Sequence, residues 1–134
     1  MEKIFKELGF SDKDIDAIIK LNPGLKEYNK KNIKDNIDIL KDIGCSDLYI
    51  KNIIVNNTYF LNNKKNDTLS LIKYLKDELG FLELDLLFDS NAYLLNIEKK
   101  YLKEFVDEKI QEGKKIEEIR DLIELNLFIV SGDN

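Results

Sequence analysis

Histidine and tryptophan are absent from the 134 residues, while cysteine and proline occur once each, as Cys45 and Pro23. Without His there is no Ser/His or Cys/His dyad, and with one Cys there is no thiolate or imidazole zinc cluster and no intrachain disulfide. No run of 18 apolar residues occurs, so no membrane span is expected. The opening MEKIFKELGF has neither the apolar core of a secretory signal nor the Arg-rich, acid-poor bias of a transit peptide. These shortages set the first expectations: no enzymatic activity, no metal, no cofactor and a reducing, cytoplasmic setting.

The residues that are abundant point to a packed fold. Hydrophobic residues make up 43% of the chain, enough to argue against disorder, and the length fits one domain spanning 1–134 that buries roughly two thirds of its unfolded surface. The 21 basic and 26 acidic residues give a net charge of -5, so the molecule as a whole repels polyanions. The charge is uneven: residues 1–67 carry 12 Lys against 11 acids (+1), and residues 68–134 carry 9 basic against 15 acidic (-6). Only the first half is suited to face a polyanion.

Asn22, Asn57, Asn91 and Asn126 recur 35, 34 and 35 residues apart, the period of a two-helix repeat. Before each stands an apolar triplet spaced x, x+3, x+4, which makes one helix face: Ile15, Ile18, Ile19; Ile50, Ile53, Ile54; Leu84, Leu87, Phe88; Ile119, Leu122, Ile123. After each comes a short tetrad (PGLK, TYFL, AYLL, LFIV) and then a second helix, read from Ile33, Ile37, Leu40, from Leu69, Ile72, Leu75, and from Leu102, Phe105, Val106. Gly9, Gly44, Gly80 and Gly113 fall where the second helices end, suited to a left-handed C-terminal turn. Ser11 and Ser46 sit at N-cap positions, Ser11 with Asp14 as a capping box. The pattern predicts eight helices near 2–8, 12–21, 30–42, 46–56, 67–78, 83–90, 97–111 and 115–125. Stacked, they make an all-α solenoid of about three and a half two-helix units.

Tetratricopeptide and pentatricopeptide arrays share this period but need small residues where their helices cross, and here only Ala17 and Ala92 are available. The run LGFSDKDIDAIIKLNPGL (8–25), echoed by IGCSDLYIKNIIVNNTYFL (43–61) and LGFLELDLLFDSNAYLL (79–95), resembles the repeat of the mitochondrial transcription termination factor (mTERF) family. The Leu-Gly slot of that repeat falls on Leu8 and Gly9, Ile43 and Gly44, Leu79 and Gly80, and its Asn-Pro slot on Asn22 and Pro23, the Pro giving way to Thr58, Ala92 and Leu127 later. The resemblance implies a right-handed stack of units, each of two α-helices and a 3₁₀ turn, that binds double-stranded DNA or RNA across a basic concave face.

Lysine doublets keep step with the repeat: Lys30 and Lys31, Lys64 and Lys65, Lys99 and Lys100, 34 and 35 residues apart, with Lys26 and Lys34 alongside. They fall at the starts of second helices, where the helix dipole disfavours cations by roughly a few tenths of a kcal/mol, so local stability does not explain them. Two accounts remain: they keep a loop edge soluble, or they form a stripe that meets several phosphates. Aromatic residues can stack on bases, but Tyr59, Phe60 and Tyr93 lie in the apolar tetrads, where packing between units is the more economical account. The repeat Asn is read as a left-handed cap or as a donor to a free carbonyl, and Cys45 as a small, partly buried residue without nucleophilic duty.

Asp12, Asp14 and Asp16 suggest a calcium loop, but Ala17 replaces its Gly and Pro23 its Glu. The carboxylates Glu117, Glu118 and Asp121 look like a solvated helix face. The apolar end, Leu127, Phe128, Ile129 and Val130, either folds back or meets another chain. Two functions follow as expectations. One is a regulatory module holding nucleic acid on the lysine stripe. The other is a scaffold or homodimer that engages a protein partner through the acidic second half or the apolar tail.

Overall fold

The computed structural model describes residues 1–125; residues 126–134 lie outside the described residues, and with them the expected partner-binding residues Leu127, Phe128, Ile129 and Val130 and the fourth repeat Asn126. Among the described residues there are eight α-helices and no strand: α1 Glu2–Glu7, α2 Asp12–Leu21, α3 Lys30–Asp42, α4 Asp47–Asn56, α5 Lys65–Lys73, α6 Leu84–Ser90, α7 Lys99–Gln111 and α8 Ile116–Glu124. Three 3₁₀ turns, Pro23–Glu27, Thr58–Asn62 and Ala92–Asn96, follow the repeat asparagines and coincide with the tetrads. The expected all-α repeat fold is observed.

Local chemistry sets the boundaries. Ser11 accepts from the Asp14 amide and Asp14 from the Ser11 amide, a complete capping box at α2, while Ser46 accepts from the Tyr49 amide at α4. Gly44 has φ +100 and ends α3, with its amide on Lys41 O and the Cys45 amide on Leu40 O, the paired bonds of a left-handed C-terminal turn. The second helix of the middle unit carries one residue more between its start and its glycine than its neighbours do: 15 positions from Lys65 to Gly80 against 14 from Lys30 to Gly44 and 14 from Lys99 to Gly113. The chain absorbs it by widening the last turn of that helix, Tyr74–Glu78, into a π turn closed by the Leu79 amide on Tyr74 O.

Second helices stack in order, α3 on α5 and α5 on α7, while α4 packs on α6 and the second 3₁₀ turn on the third. The core follows this stack from Phe5 through Leu40, Ile54, Phe60 and Phe88 to Ile123, all fully buried. One register differs from expectation. In α5 it is Thr68, not Leu69, that faces the core beside Leu71, Ile72 and Leu75, and Leu69 is exposed. Thr68 is the fourth residue of its helix, the place held by Ile33 in α3 and Leu102 in α7. It is buried because its hydroxyl donates to Asn36 Oδ1 at 2.7 Å, across the α3–α5 contact.

Candidate nucleic-acid interface

The repeat asparagines hold the turns that position the interface. Their backbones are not left-handed: φ is -139 at Asn22, -156 at Asn57 and -137 at Asn91. The cap reading therefore fails, because each helix runs into its 3₁₀ turn without reversing, and the buried side chain is free to reach the next unit. Asn22 Nδ2 donates to Thr58 Oγ1 at 3.0 Å and to Tyr28 OH at 2.9 Å, Asn57 Nδ2 to Ala92 O at 2.8 Å, and Asn91 Nδ2 to Glu124 O at 2.8 Å. Asn57 Oδ1 also accepts from Asn96 Nδ2 at 2.9 Å. The alternative reading, a donor to a free carbonyl, describes Asn57 and Asn91.

A second polar seam runs beside the first. Fully buried Asn36 donates to Asn32 O and Asn63 O, both at 2.9 Å, and Asn63 Nδ2 donates to Leu95 O at 2.9 Å. Polar bonds between buried partners fix the stagger of one unit on the next, where apolar contact alone tolerates sliding. Sequence reasoning missed Asn36 because it lies one place before the apolar Ile37 on a polar-looking helix.

All eight expected lysines, Lys26, Lys30, Lys31, Lys34, Lys64, Lys65, Lys99 and Lys100, are exposed. The structure aligns the doublets in a different register from the sequence. Lys30, Lys65 and Lys99 are the first residues of α3, α5 and α7, whereas Lys64 occupies the N-cap, where α3 has Asn29 and α7 has Glu98. Asn29 caps α3 through the amides of Lys31 and Asn32, while Lys64 and Glu98 make no side-chain capping bond. The helix starts at Lys65 and Lys99 thus combine uncapped amides with a lysine ammonium.

Several of these lysines are engaged. Lys31 lies 3.6 Å from Asp35, Lys99 sits over the Tyr74 ring and Lys100 over the Tyr101 ring. An ion pair or cation–π contact of an exposed ammonium is worth about 0–1 kcal/mol, so a phosphate can compete for all three. Lys26 stands apart. It takes the fourth place of its 3₁₀ turn, which Leu61 and Leu95 bury in the next two turns, and it is exposed there.

A groove of about 510 Å³ runs between the start of α5 and the start of α7, lined by Asn63, Asp67, Ser70, Asn96, Lys99 and Lys100 among others. In the 3₁₀ turns the expected aromatic packing divides. Phe60 is fully buried, but Tyr59 is 53% and Tyr93 58% exposed. A 3₁₀ turn repeats every three residues, so the second and fifth positions share the outer edge while the third and fourth face the core. That puts Tyr59 with Asn62, and Tyr93 with Asn96, on the outside.

Two other cations do structural work: Lys51 Nζ donates to Gly9 O at 3.2 Å and an Arg120 guanidinium nitrogen to Leu79 O at 2.8 Å, each closing the C-terminal end of an earlier second helix. Both lie six residues before a repeat Asn, a signal present in the sequence. Cys45 is buried, and burial, reinforced by the carboxylates of Asp85 and Asp89, pushes its thiol up to about 12, which removes it as a nucleophile. Among the described residues no cluster of His, Cys, Asp or Glu is arranged to hold a metal ion, and no helix is long and apolar enough to cross a membrane.

Two-helix units joined by 3₁₀ turns, stapled by buried asparagines and edged with lysine, define an α-solenoid of the helical-repeat class. A model of the mTERF family matches residues 2–125, and the chain belongs to that family, whose members are in general non-enzymatic helical-repeat proteins that bind nucleic acid. No curated protein and no solved structure matches the chain.

Proposed function

We propose that this chain is a regulatory nucleic-acid-binding module that grips the phosphate backbone along the edge formed by the starts of α3, α5 and α7. The observation that carries the reading is Lys30, Lys65 and Lys99 as the first residues of three second helices stacked in order. Side chains of Lys26, Lys30, Lys34, Lys64 and Lys65 have no hydrogen-bond or ion-pair partner among the described residues, so they meet an anion without first breaking a contact. A helix start with free amides favours negative charge, which supports the same edge at α5 and α7. Net charge does not oppose it at close range, because salt screens distant acids beyond about 8–10 Å while direct contacts persist.

The test is fluorescence anisotropy of short labelled oligonucleotides, single-stranded and duplex, at about 50 mM and about 200 mM salt. If six lysines contact B-form DNA, log K falls with log salt at a slope of about -5, from roughly 0.9 per contact. Combined Lys30→Glu, Lys65→Glu and Lys99→Glu is expected to abolish binding with unchanged helical circular dichroism; binding retained in that protein defeats the reading.

A separate observation favours a second reading, a protein-interaction scaffold. A groove of about 650 Å³ between α6 and α8 is lined by the apolar Leu82, Leu86 and Leu125 together with the charged Glu83, Arg120 and Glu124, among others, with Leu82 95% exposed. Leu82→Asp tests it, since a complex or dimer seated there loses mass by size exclusion when the variant is introduced.

A further inference from the structure

The second position of the 3₁₀ turn is solvent-facing in every unit described, and it holds Gly24, Tyr59 and Tyr93 in succession. Gly24 shows that the turn forms with no side chain at that place. Two large aromatic rings are therefore not required by the fold, and leaving each more than half exposed forfeits burial that the neighbouring Phe60 and Leu94 achieve in full. Neither tyrosine has a hydrogen bond, ring contact or cation contact among the described residues, unlike Tyr28, which accepts from Asn22, or Tyr101, which lies under Lys100.

Both rings stand on rigid ground. The second and third turns pack on one another, and Asn57 ties them through Ala92 O and Asn96 Nδ2. The offset to the lysine edge is the same in each unit, six residues from Tyr59 to Lys65 and six from Tyr93 to Lys99. Asn96 connects the two features. It shares the outer edge of its turn with Tyr93, about 6 Å away at roughly 2 Å rise per residue, and it lines the groove that holds Lys99 and Lys100.

We propose that Tyr59 and Tyr93 are stacking platforms for the bases of a single-stranded nucleic acid whose phosphates lie along Lys65, Lys99 and Lys100. This rests on the backbone-gripping edge proposed above and names its ligand as single-stranded. The physical distinction is access: a duplex hides base faces within its stack and offers an exposed aromatic only its sugar-phosphate surface, whereas an unpaired base presents a free face that any aromatic ring can cover. Rigid aromatic platforms beside lysines give sequence-tolerant binding to single strands.

The experiment compares single-stranded and duplex oligonucleotides of mixed sequence on four proteins: unsubstituted, Tyr59→Ala with Tyr93→Ala, Tyr59→Phe with Tyr93→Phe, and the triple lysine-to-glutamate protein. Stacking lost on alanine substitution weakens single-strand binding by about 5- to 150-fold per base. The double alanine protein is expected to lose at least that factor for the single strand and to keep its duplex affinity, while the double phenylalanine protein stays within about twofold, since its rings still stack. A spectroscopic signature runs alongside. The chain has six tyrosines and no tryptophan, so an unlabelled single strand quenches tyrosine emission, and the quenching is smaller in the double phenylalanine protein although it binds, the remainder coming from tyrosines such as Tyr101 under Lys100.

If the alanine protein holds the single strand as tightly as its parent while the lysine-reversed protein does not, the platforms fall and the phosphate edge stands. Preference for the duplex in the unsubstituted protein also overturns the inference. Absence of binding to either form at low salt removes both proposals together.

Discussion

Replacing Asn57 with alanine tests whether the repeat asparagine is a staple between units. The side chain is 2% exposed, donates to Ala92 O at 2.8 Å and accepts from Asn96 Nδ2 at 2.9 Å. Truncation leaves a buried carbonyl without its donor, a loss of about 1–3 kcal/mol, whereas exposed Asn96 turns to water at little cost. The expected destabilisation is about 2 kcal/mol. Asn57→Asp sharpens the argument because it keeps the size and the acceptor for Asn96 but sets an anionic oxygen against the Ala92 carbonyl. It should cost more than alanine, about 3–5 kcal/mol, the range for a buried charge left unpaired. Asn56→Ala, one residue away and bonded only to Asn52 O within its own helix, should stay within about 0.5 kcal/mol of the parent. Urea unfolding followed by helical circular dichroism measures all three. The staple is refuted if Asn57→Ala lies as close to the parent as the Asn56 control, or if the aspartate is the milder change.

Two further predictions concern the helix ends. Between about pH 9 and about pH 10 the unfolded Cys45 thiol ionises while the folded thiol, held near 12, keeps its proton, so the native state binds more protons and stability falls as pH rises. Tyr74, raised to about 12 from 10.0, adds its share only at higher pH, so Cys45→Ala should flatten the fall in urea stability across that window; an unchanged slope counts against the buried thiol. Gly44→Ala meets nothing within 4 Å, so its cost is the backbone alone at φ +100, about 1–2 kcal/mol. Gly80→Ala, at φ +76, also finds an Arg120 guanidinium nitrogen 3.2 Å away and weakens the bond that nitrogen makes to Leu79 O. Thermal unfolding should show the Gly80 variant as the less stable, and equal losses would mean that the Arg120 contact contributes nothing.

The eight helices were readable from the sequence because each signal was local: the x, x+3, x+4 triplets, Ser11 and Ser46 as caps, and glycine where a positive φ was needed. The mTERF resemblance came from the same residues, since Leu-Gly and Asn-Pro are places where the backbone changes direction. In the site, the sequence showed the period of the lysines but not their register. Lys64 and Lys65 differ only in which one begins the helix, and that depends on how α5 packs on α3 and α7.

The remaining features lay beyond local pattern. Thr68 reads as polar and Leu69 as core, yet a partner on α3, Asn36 Oδ1, reverses them. Tyr59 and Phe60 are adjacent and both apolar in character, and only the threefold geometry of the 3₁₀ turn, set against the unit beside it, sends one to solvent and the other inside. By itself the sequence determined the helices, their period and the family, because hydrophobic spacing, caps and glycines act within one unit. The tertiary structure alone decided what the asparagines hold, where the lysines align and which aromatics face solvent, because each of those is a relation between units.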